Sequence, residues 1–176
     1  MEFVVDKERA LEIVAANYRG PVKYAKAVLE RWPRSSALVA YVDGAAAGAE
    51  IFYQITLSWP VCVHYYVAVA PPYRRRGVAT ALVRRVEDVC KASVYAATST
   101  EDNKAAEALF TKLGYVPYVW RDIPRRARDV WLKATCGYDD DVLFIKGADP
   151  ASAASYTREV EEFWKETCLR PYLGLY

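Results

Sequence analysis

At 176 residues, with 53% hydrophobic and 26% charged side chains, the chain has the balance of one soluble globular domain with a sizeable core. A formal net charge of +2 is too small to imply a nucleic-acid or membrane-surface partner. No apolar run approaches the roughly 20 residues that span a bilayer. The N-terminus, Met-Glu-Phe-Val-Val-Asp, lacks a basic leader, so the expected location is the cytoplasm.

Asparagine, glutamine and methionine are represented only by Asn17, Asn103, Gln54 and Met1. Such depletion of thermolabile side chains is expected of a thermophile. The cysteines Cys62, Cys90, Cys136 and Cys168 contain no close pair of metal-ligand spacing, so no metal site is expected. In an ordinary cytosol they are expected as buried thiols. In a hyperthermophile an intracellular disulfide is admissible, and Cys136 with Cys168 is then the expected pair.

In chain order, Phe3 to Val5 predicts a short strand, and Asp6 caps a helix carrying Ala10, Leu11, Ile13 and Val14. Gly20-Pro21 breaks it, and Pro21 suits the first turn of a second helix that Pro33 ends. Ala37 to Val42, the turn Asp43-Gly44 and Gly48 to Leu57 predict a hairpin, with Val61 to Val69 as third strand. A helix follows from Gly77, then a strand over Ser93 to Thr98. Asp102 is positioned to cap a helix from Asn103 to Leu113, which Gly114 stops. Tyr115 to Trp120 and Val142 to Ile145 predict two strands around a short helix near Pro124 to Lys133. From Asp149-Pro150 a last helix carries Ala153, Tyr156, Val160, Phe163 and Trp164 as one stripe and ends at Pro171. The reading is a mixed α/β chain: residues 1–148 as one domain, with the helix and tail of 149–176 packed on it.

The stretch Val67 to Leu82 stands out. An apolar strand meets Pro71-Pro72, then Arg74, Arg75 and Arg76, then Gly77 and an amphipathic helix. Free N–H groups and the dipole at that helix start favour an anion, and Gly77 and Ala79 let it approach the backbone. Arg74, Gly77 and Ala79 resemble the acyl-CoA-binding motif of the GNAT N-acetyltransferase superfamily. Asn103-Lys-Ala-Ala-Glu-Ala-Leu-Phe110-Thr-Lys-Leu-Gly114-Tyr115 looks like that family's later motif, in the right order. With both motifs in order, the resemblance covers roughly residues 2 to 146.

The resemblance implies a mostly antiparallel twisted sheet with splayed central strands, flanked by helices, and acetyl-CoA as co-substrate. Carried over by position, the backbone of Val67, Ala68 and Val69 would pair with the pantetheine arm. Arg74, Arg75, Arg76, Gly77, Val78, Ala79 and Thr80 would hold the pyrophosphate. Asn103 would bond near the pantetheine or cap its helix, Phe110 would lie by the sulfur, and Thr98 would face the thioester. Many relatives place a tyrosine where Phe110 stands. Strand alternation puts Val63, Tyr65 and Val67 on one face and His64 and Tyr66 on the other. Tyr65 is therefore the leading catalytic candidate, with Glu50 and Tyr53 behind it, and the lone histidine, His64, is expected to be structural. Arg125, Arg126 and Arg128 are candidates to hold an anion of the acceptor, or form a solvated cluster.

The implied activity is acyl transfer from acetyl-CoA to a primary amine, on a protein N-terminus, a lysine or a small amine. Phe110 and Val63 motivate an alternative, a CoA-binding domain without catalysis that acts as a sensor. An RNA-binding reading of the arginines is opposed by the near-neutral charge. A monomer or homodimer is expected.

Overall fold

Asp6 accepts a hydrogen bond from Arg9 N at 2.9 Å, and this cap turns strand β1 (Glu2–Val5) into helix α1 (Lys7–Asn17). The computed structural model describes residues 1–175. After α2 (Lys23–Arg31), strands β2 (Ser35–Val42), β3 (Ala45–Thr56) and β4 (Pro60–Val69) form an antiparallel meander. Its first turn is Asp43-Gly44, where both residues have positive φ, 50° and 79°. Then come α3 (Val78–Val89), β5 (Val94–Ser99), α4 (Lys104–Lys112), β6 (Val116–Val119), α5 (Arg125–Thr135) and β7 (Val142–Lys146). The seven strands make one sheet in the order β1-β2-β3-β4-β5-β7-β6. Only the central β4–β5 pair is parallel.

One face of the sheet, with Val61, Val63, Ala96 and Leu143, packs against α2, α5 and the C-terminal helices through Val28, Trp131 and Phe163. Farther along, Ile51, Tyr66 and Ala68 on that face meet Ala10, Ile13 and Val14 of α1. The other face, with Phe52, Cys62 and Phe144, is covered by α3 through Leu82 and Val86 and by α4 through Phe110. The periodicity of each helix thus becomes a buried stripe on one layer.

A bulge in β4 changes the expected alternation. Ile51 pairs with Tyr66 and Phe52 with His64, which leaves Tyr65 as an extra residue. Val63 and Tyr65 share a face as expected, but Tyr66 joins them, and Val67 lies on the α3 and α4 face with His64. The expectation that Val67 shares the face of Tyr65 is therefore corrected.

The single terminal helix is also corrected. Asp149 caps α6 (Pro150–Ala153), but the chain then breaks before α7 (Arg158–Phe163), a π-helical turn (Trp164–Leu169) and α8 (Arg170–Tyr172). Ser58 N donates to Ala153 O at 3.1 Å and Ser58 Oγ to Ser152 O at 3.0 Å, which diverts carbonyls that would continue the helix. Thr157 caps the new start, its Oγ1 accepting from Val160 N at 3.1 Å and donating to Thr56 O at 3.0 Å. Tyr156 is consequently exposed rather than part of the stripe. Pro171 does not end the helix; it sits in the first turn of α8.

All four cysteines are paired, Cys62 with Cys90 and Cys136 with Cys168. The buried-thiol expectation is overturned, and the Cys62–Cys90 bond joins β4 to the end of α3. No cluster of metal-ligating side chains occurs among the described residues. No described helix is long and apolar enough to cross a membrane.

Candidate active site

Strands β4 and β5 pair only at Val61–Val94, Cys62–Tyr95 and Val63–Ala96, then diverge. Their parting opens a cleft of about 1190 Å³ that passes between the two faces of the sheet. Tyr65 to Val69 line one wall and Ala97 to Ser99 the other. The edge of β4 turned toward β5 is thus unpaired over Val67, Ala68 and Val69, and main-chain groups there are available to an extended ligand.

On the α3 side, the strand leads through a 3-10 turn (Pro71–Tyr73) into the helix start. Gly77 is the N-cap at φ 80° and supplies no side-chain cap. A Cβ built there meets nothing within 4 Å, so the space above the free first-turn N–H groups is open. Arg75 is also left-handed at φ 62°, and Arg74 Nε donates to Val69 O at 3.1 Å, tying the turn to the strand. Arg74, Arg75, Gly77, Val78, Ala79 and Thr80 all line the cleft. Arg76 does not; its guanidinium lies over the Tyr73 ring at 5.4 Å. An uncapped helix start with open space and two arginines fits a phosphate group.

Asn103 also lines this side, and its side chain caps α4 by accepting from Ala106 N at 3.0 Å. Asn103, not Asp102, is therefore the cap. Phe110 is buried, stacked on Phe144 at 5.4 Å, with one edge on the cleft. His64 borders the cleft between the two. Its Nδ1 is hydrogen-bonded to Glu50 and its Nε2 lies 2.7 Å from Tyr115 Oη. Burial pushes the Glu50 carboxyl up, opposed by the adjacent His64. Glu50 has no surface on the cleft, so the geometry assigns it to this buried chain of hydrogen bonds and not to the cleft lining.

The opposite side is aromatic and acidic. Tyr65 is half-buried between Tyr53 and Tyr66, with ring centroids at 5.4 and 4.7 Å, and Tyr18 meets Tyr66 edge-on at 5.0 Å. Burial, then the neighbouring phenols, raises the Tyr65 pKa well above its ordinary value. Its hydroxyl is a hydrogen-bond donor at neutral pH, not a base. Tyr53 is sealed in the core, donating to Ala134 O at 2.6 Å, and does not line the cleft.

Facing Tyr18 and Tyr66 is Asp140, in the turn after α5. Thr98 Oγ1 donates to its Oδ2 at 2.5 Å, and Trp120 Nε1 to its backbone O at 2.9 Å. Burial raises the Asp140 pKa, the Thr98 hydrogen bond lowers it, and Asp139 and Asp141 raise it again. The Asp140 charge reaches across the cleft and, after burial, helps raise the Tyr18 and Tyr66 phenols. Sequence reasoning missed Asp140. Its one signal was three consecutive acids, Asp139 to Asp141, just before a strand.

The model of the acetyltransferase (GNAT) family matches residues 8–115, more than half of the chain. The chain belongs to that family. Membership makes it an N-acetyltransferase of the class that draws on acetyl-CoA. Its fold resembles a GNAT-family acetyltransferase from Staphylococcus aureus Mu50, with TM-score 0.62 and 11% identity over 82% of this chain and 97% of that one. It also resembles the aminoglycoside 6'-N-acetyltransferase AAC(6')-IG from Acinetobacter haemolyticus, with TM-score 0.55 and 22% identity over 66% and 91%. A third likeness is to the NatC complex bound to Gag peptide and CoA, with TM-score 0.57 and 16% identity over 82% and 96%. A search of the curated proteins returns no match. In this GNAT chain, Asp139, Asp140 and the C-terminal helices lie beyond the matched span, so the part of the cleft wall that carries its carboxylates is outside the part that defines the family.

Proposed function

We propose that this GNAT transfers the acetyl group of acetyl-CoA to a primary amine by direct attack within the β4–β5 cleft. The observation that carries this reading is the pairing of two unlike half-sites through one opening in the sheet. The α3 side offers an unpaired strand edge and an uncapped helix start with Arg74 and Arg75. The α1 side offers Tyr65, Thr98 and Asp140. Val67 to Val69 would hold the pantetheine arm as an added strand, the Gly77 turn the pyrophosphate, and Phe110 the thiol end.

The lone pair of the neutral amine attacks the thioester carbonyl, and the carbon–sulfur bond breaks with its electron pair going to sulfur. The nitrogen sheds a proton as the amide forms, and the departing thiolate takes up a proton to leave as free thiol. What the chain contributes first is placement, worth about 7–11 kcal/mol in well-oriented reactions. Asp140, fixed by Thr98, is suited to hold the incoming ammonium and to take its proton. Tyr65, protonated, orients by donating a hydrogen bond. No cysteine serves as nucleophile, because all four are disulfide-bonded. We further propose that it works in the cytoplasm of a thermophile, on its scarcity of asparagine, glutamine and methionine and on the opening Met-Glu-Phe-Val-Val-Asp, which is not a basic leader.

The test is acetyl-CoA consumption with free thiol release across a panel of amines and peptides. Thiol release that depends on the amine supports transfer. Tight CoA binding with no turnover across the panel favours the sensor reading, which the missing hydroxyl at Phe110 motivates. Phe110→Tyr should then leave binding and rate untouched, whereas under transfer it should change the rate.

A further inference from the structure

The charges that line the cleft are separated. Among the described residues its only carboxylates are Asp139 and Asp140, and its only Lys or Arg side chains are Arg74 and Arg75. The arginines stand at the start of α3, on the sheet face covered by α3 and α4. The aspartates stand with Tyr18 and Tyr66 on the face covered by α1. Arg125, Arg126 and Arg128 do not alter this. Arg128 folds back, donating from Nε and NH2 to Ile123 O at 3.3 and 3.1 Å, and Arg126 lines a separate pocket with Asp129. None of the three lines the cleft.

We propose that the acceptor is a cationic amine with no anionic group beside its nucleophilic nitrogen, selected by Asp139 and Asp140 against the tyrosine wall. The proposal rests on the acetyl-transfer reading and narrows its acceptor. A free amino acid brings a carboxylate two bonds from its amine. On the α1 side that carboxylate would find two aspartates and, among the described residues that line the cleft, no cation to balance it. Like charges brought together in a partly desolvated cleft are disfavoured by several kcal/mol. An amine whose neighbour is hydrogen, carbon or an amide avoids that repulsion and keeps the attraction of Asp140. The faces of Tyr18 and Tyr66, 5.0 Å apart and edge to face, add a surface on which an alkylammonium gains cation–π attraction. The Thr98 hydrogen bond at 2.5 Å holds the Asp140 carboxylate in one orientation toward it. Small amines and peptide N-termini both carry this chemistry.

The experiment uses matched pairs that differ by one carboxylate: tyramine with tyrosine, agmatine with arginine, tryptamine with tryptophan. A tripeptide amide stands for the peptide source. Binding to the CoA-loaded protein is read by calorimetry, separately from thiol release. The decarboxylated member should bind roughly 100-fold more tightly, the ratio that like-charge juxtaposition implies. Asp139→Lys, at an exposed position, should shrink that ratio, and Asp139→Asn with Asp140→Asn should abolish it. Better binding of the tripeptide amide than of the small amines assigns the peptide source, and the reverse assigns the small-amine source. Equal binding within pairs, binding of neither member, or a ratio unchanged in the variants overturns the proposal. Loss of thiol release with the binding ratio intact would instead remove the transfer reading.

Discussion

His64 Nε2 and Tyr115 Oη lie 2.7 Å apart, 51 residues apart in sequence, and tie the junction between α4 and β6 to strand β4 at the sheet centre. With Glu50 on Nδ1, three buried polar groups share one site beside the cleft. The chain lies beneath the cleft floor beside Phe110, whose ring is 5.8 Å from His64.

Removing one member should therefore cost more than an ordinary polar substitution. His64→Ala leaves the Glu50 carboxyl buried without its partner, a loss of about 3–5 kcal/mol. Tyr115→Phe removes only one hydroxyl and should cost about 1–3 kcal/mol. Urea unfolding midpoints of the two variants check the order. Equal and negligible losses would mean that the polar chain is not coupled to folding.

Gly77 separates conformation from contact. Gly77→Ala places a Cβ in open space but forces a side chain into the left-handed region at φ 80°, at about 1–2 kcal/mol of stability. Gly77→Glu adds bulk and negative charge where the pyrophosphate is proposed to sit. Calorimetric titration should show acetyl-CoA binding reduced modestly in the first and abolished in the second. An unchanged dissociation constant in Gly77→Glu would refute the phosphate assignment.

Local chemistry was readable where one residue type does one job. Asp43-Gly44 announced its turn, Gly77 its helix start and Gly114, at φ 90°, its helix stop. The motif around Arg74 and the run from Asn103 to Tyr115 pointed to the side of the cleft proposed to hold the donor. The bulge at Tyr65 left no trace in composition, because it is a register shift between β3 and β4 and not a property of Tyr65. Alternation counted straight through it misplaced Tyr66 and Val67. The break after Ala153 depends on Ser58, about a hundred positions upstream, and no local pattern reports such a bond. Asp140 became visible only when α5 and β7 carried it to Thr98. The proposed acceptor side is assembled from distant segments, and for that reason it was the less legible half.

Asp140 should show a stability cost alongside its use. Its folded pKa is raised, mainly by burial, so the ionised form is less favoured in the folded state than in the unfolded chain. Above the unfolded value near ~3.9 this lowers stability, and the penalty vanishes as both states become protonated at lower pH. Asp140→Asn should thus melt no lower than the parent at neutral pH, with the difference closing in acid. Its kcat/KM should fall, and the acid limb of the rate profile, displaced upward from an ordinary aspartate, should disappear. Melting curves and pH–rate profiles of the pair check both. A variant that loses stability and keeps its acid limb would assign Asp140 to structure alone.

The two disulfides make separable predictions. Cys62–Cys90 spans 28 residues and Cys136–Cys168 spans 32, so unfolded-chain entropy gives each roughly 3.5 kcal/mol. Cys62 is fully buried under α3, whereas Cys136 and Cys168 line the cleft with Trp164 and Tyr172 of the C-terminal helices. Mild reductant should reach the second bond first and loosen the α1 side of the cleft before the sheet. Cys136→Ser with Cys168→Ser should then lower the melting temperature and raise KM for the amine, with acetyl-CoA affinity near the parent value. Cys62→Ala with Cys90→Ala should lower the melting temperature by a similar amount and leave the amine KM in place. Calorimetry and initial-rate kinetics on both double variants would show it. Equal effects on amine and acetyl-CoA in both would mean that the C-terminal helices brace the whole sheet and do not form one wall of the site.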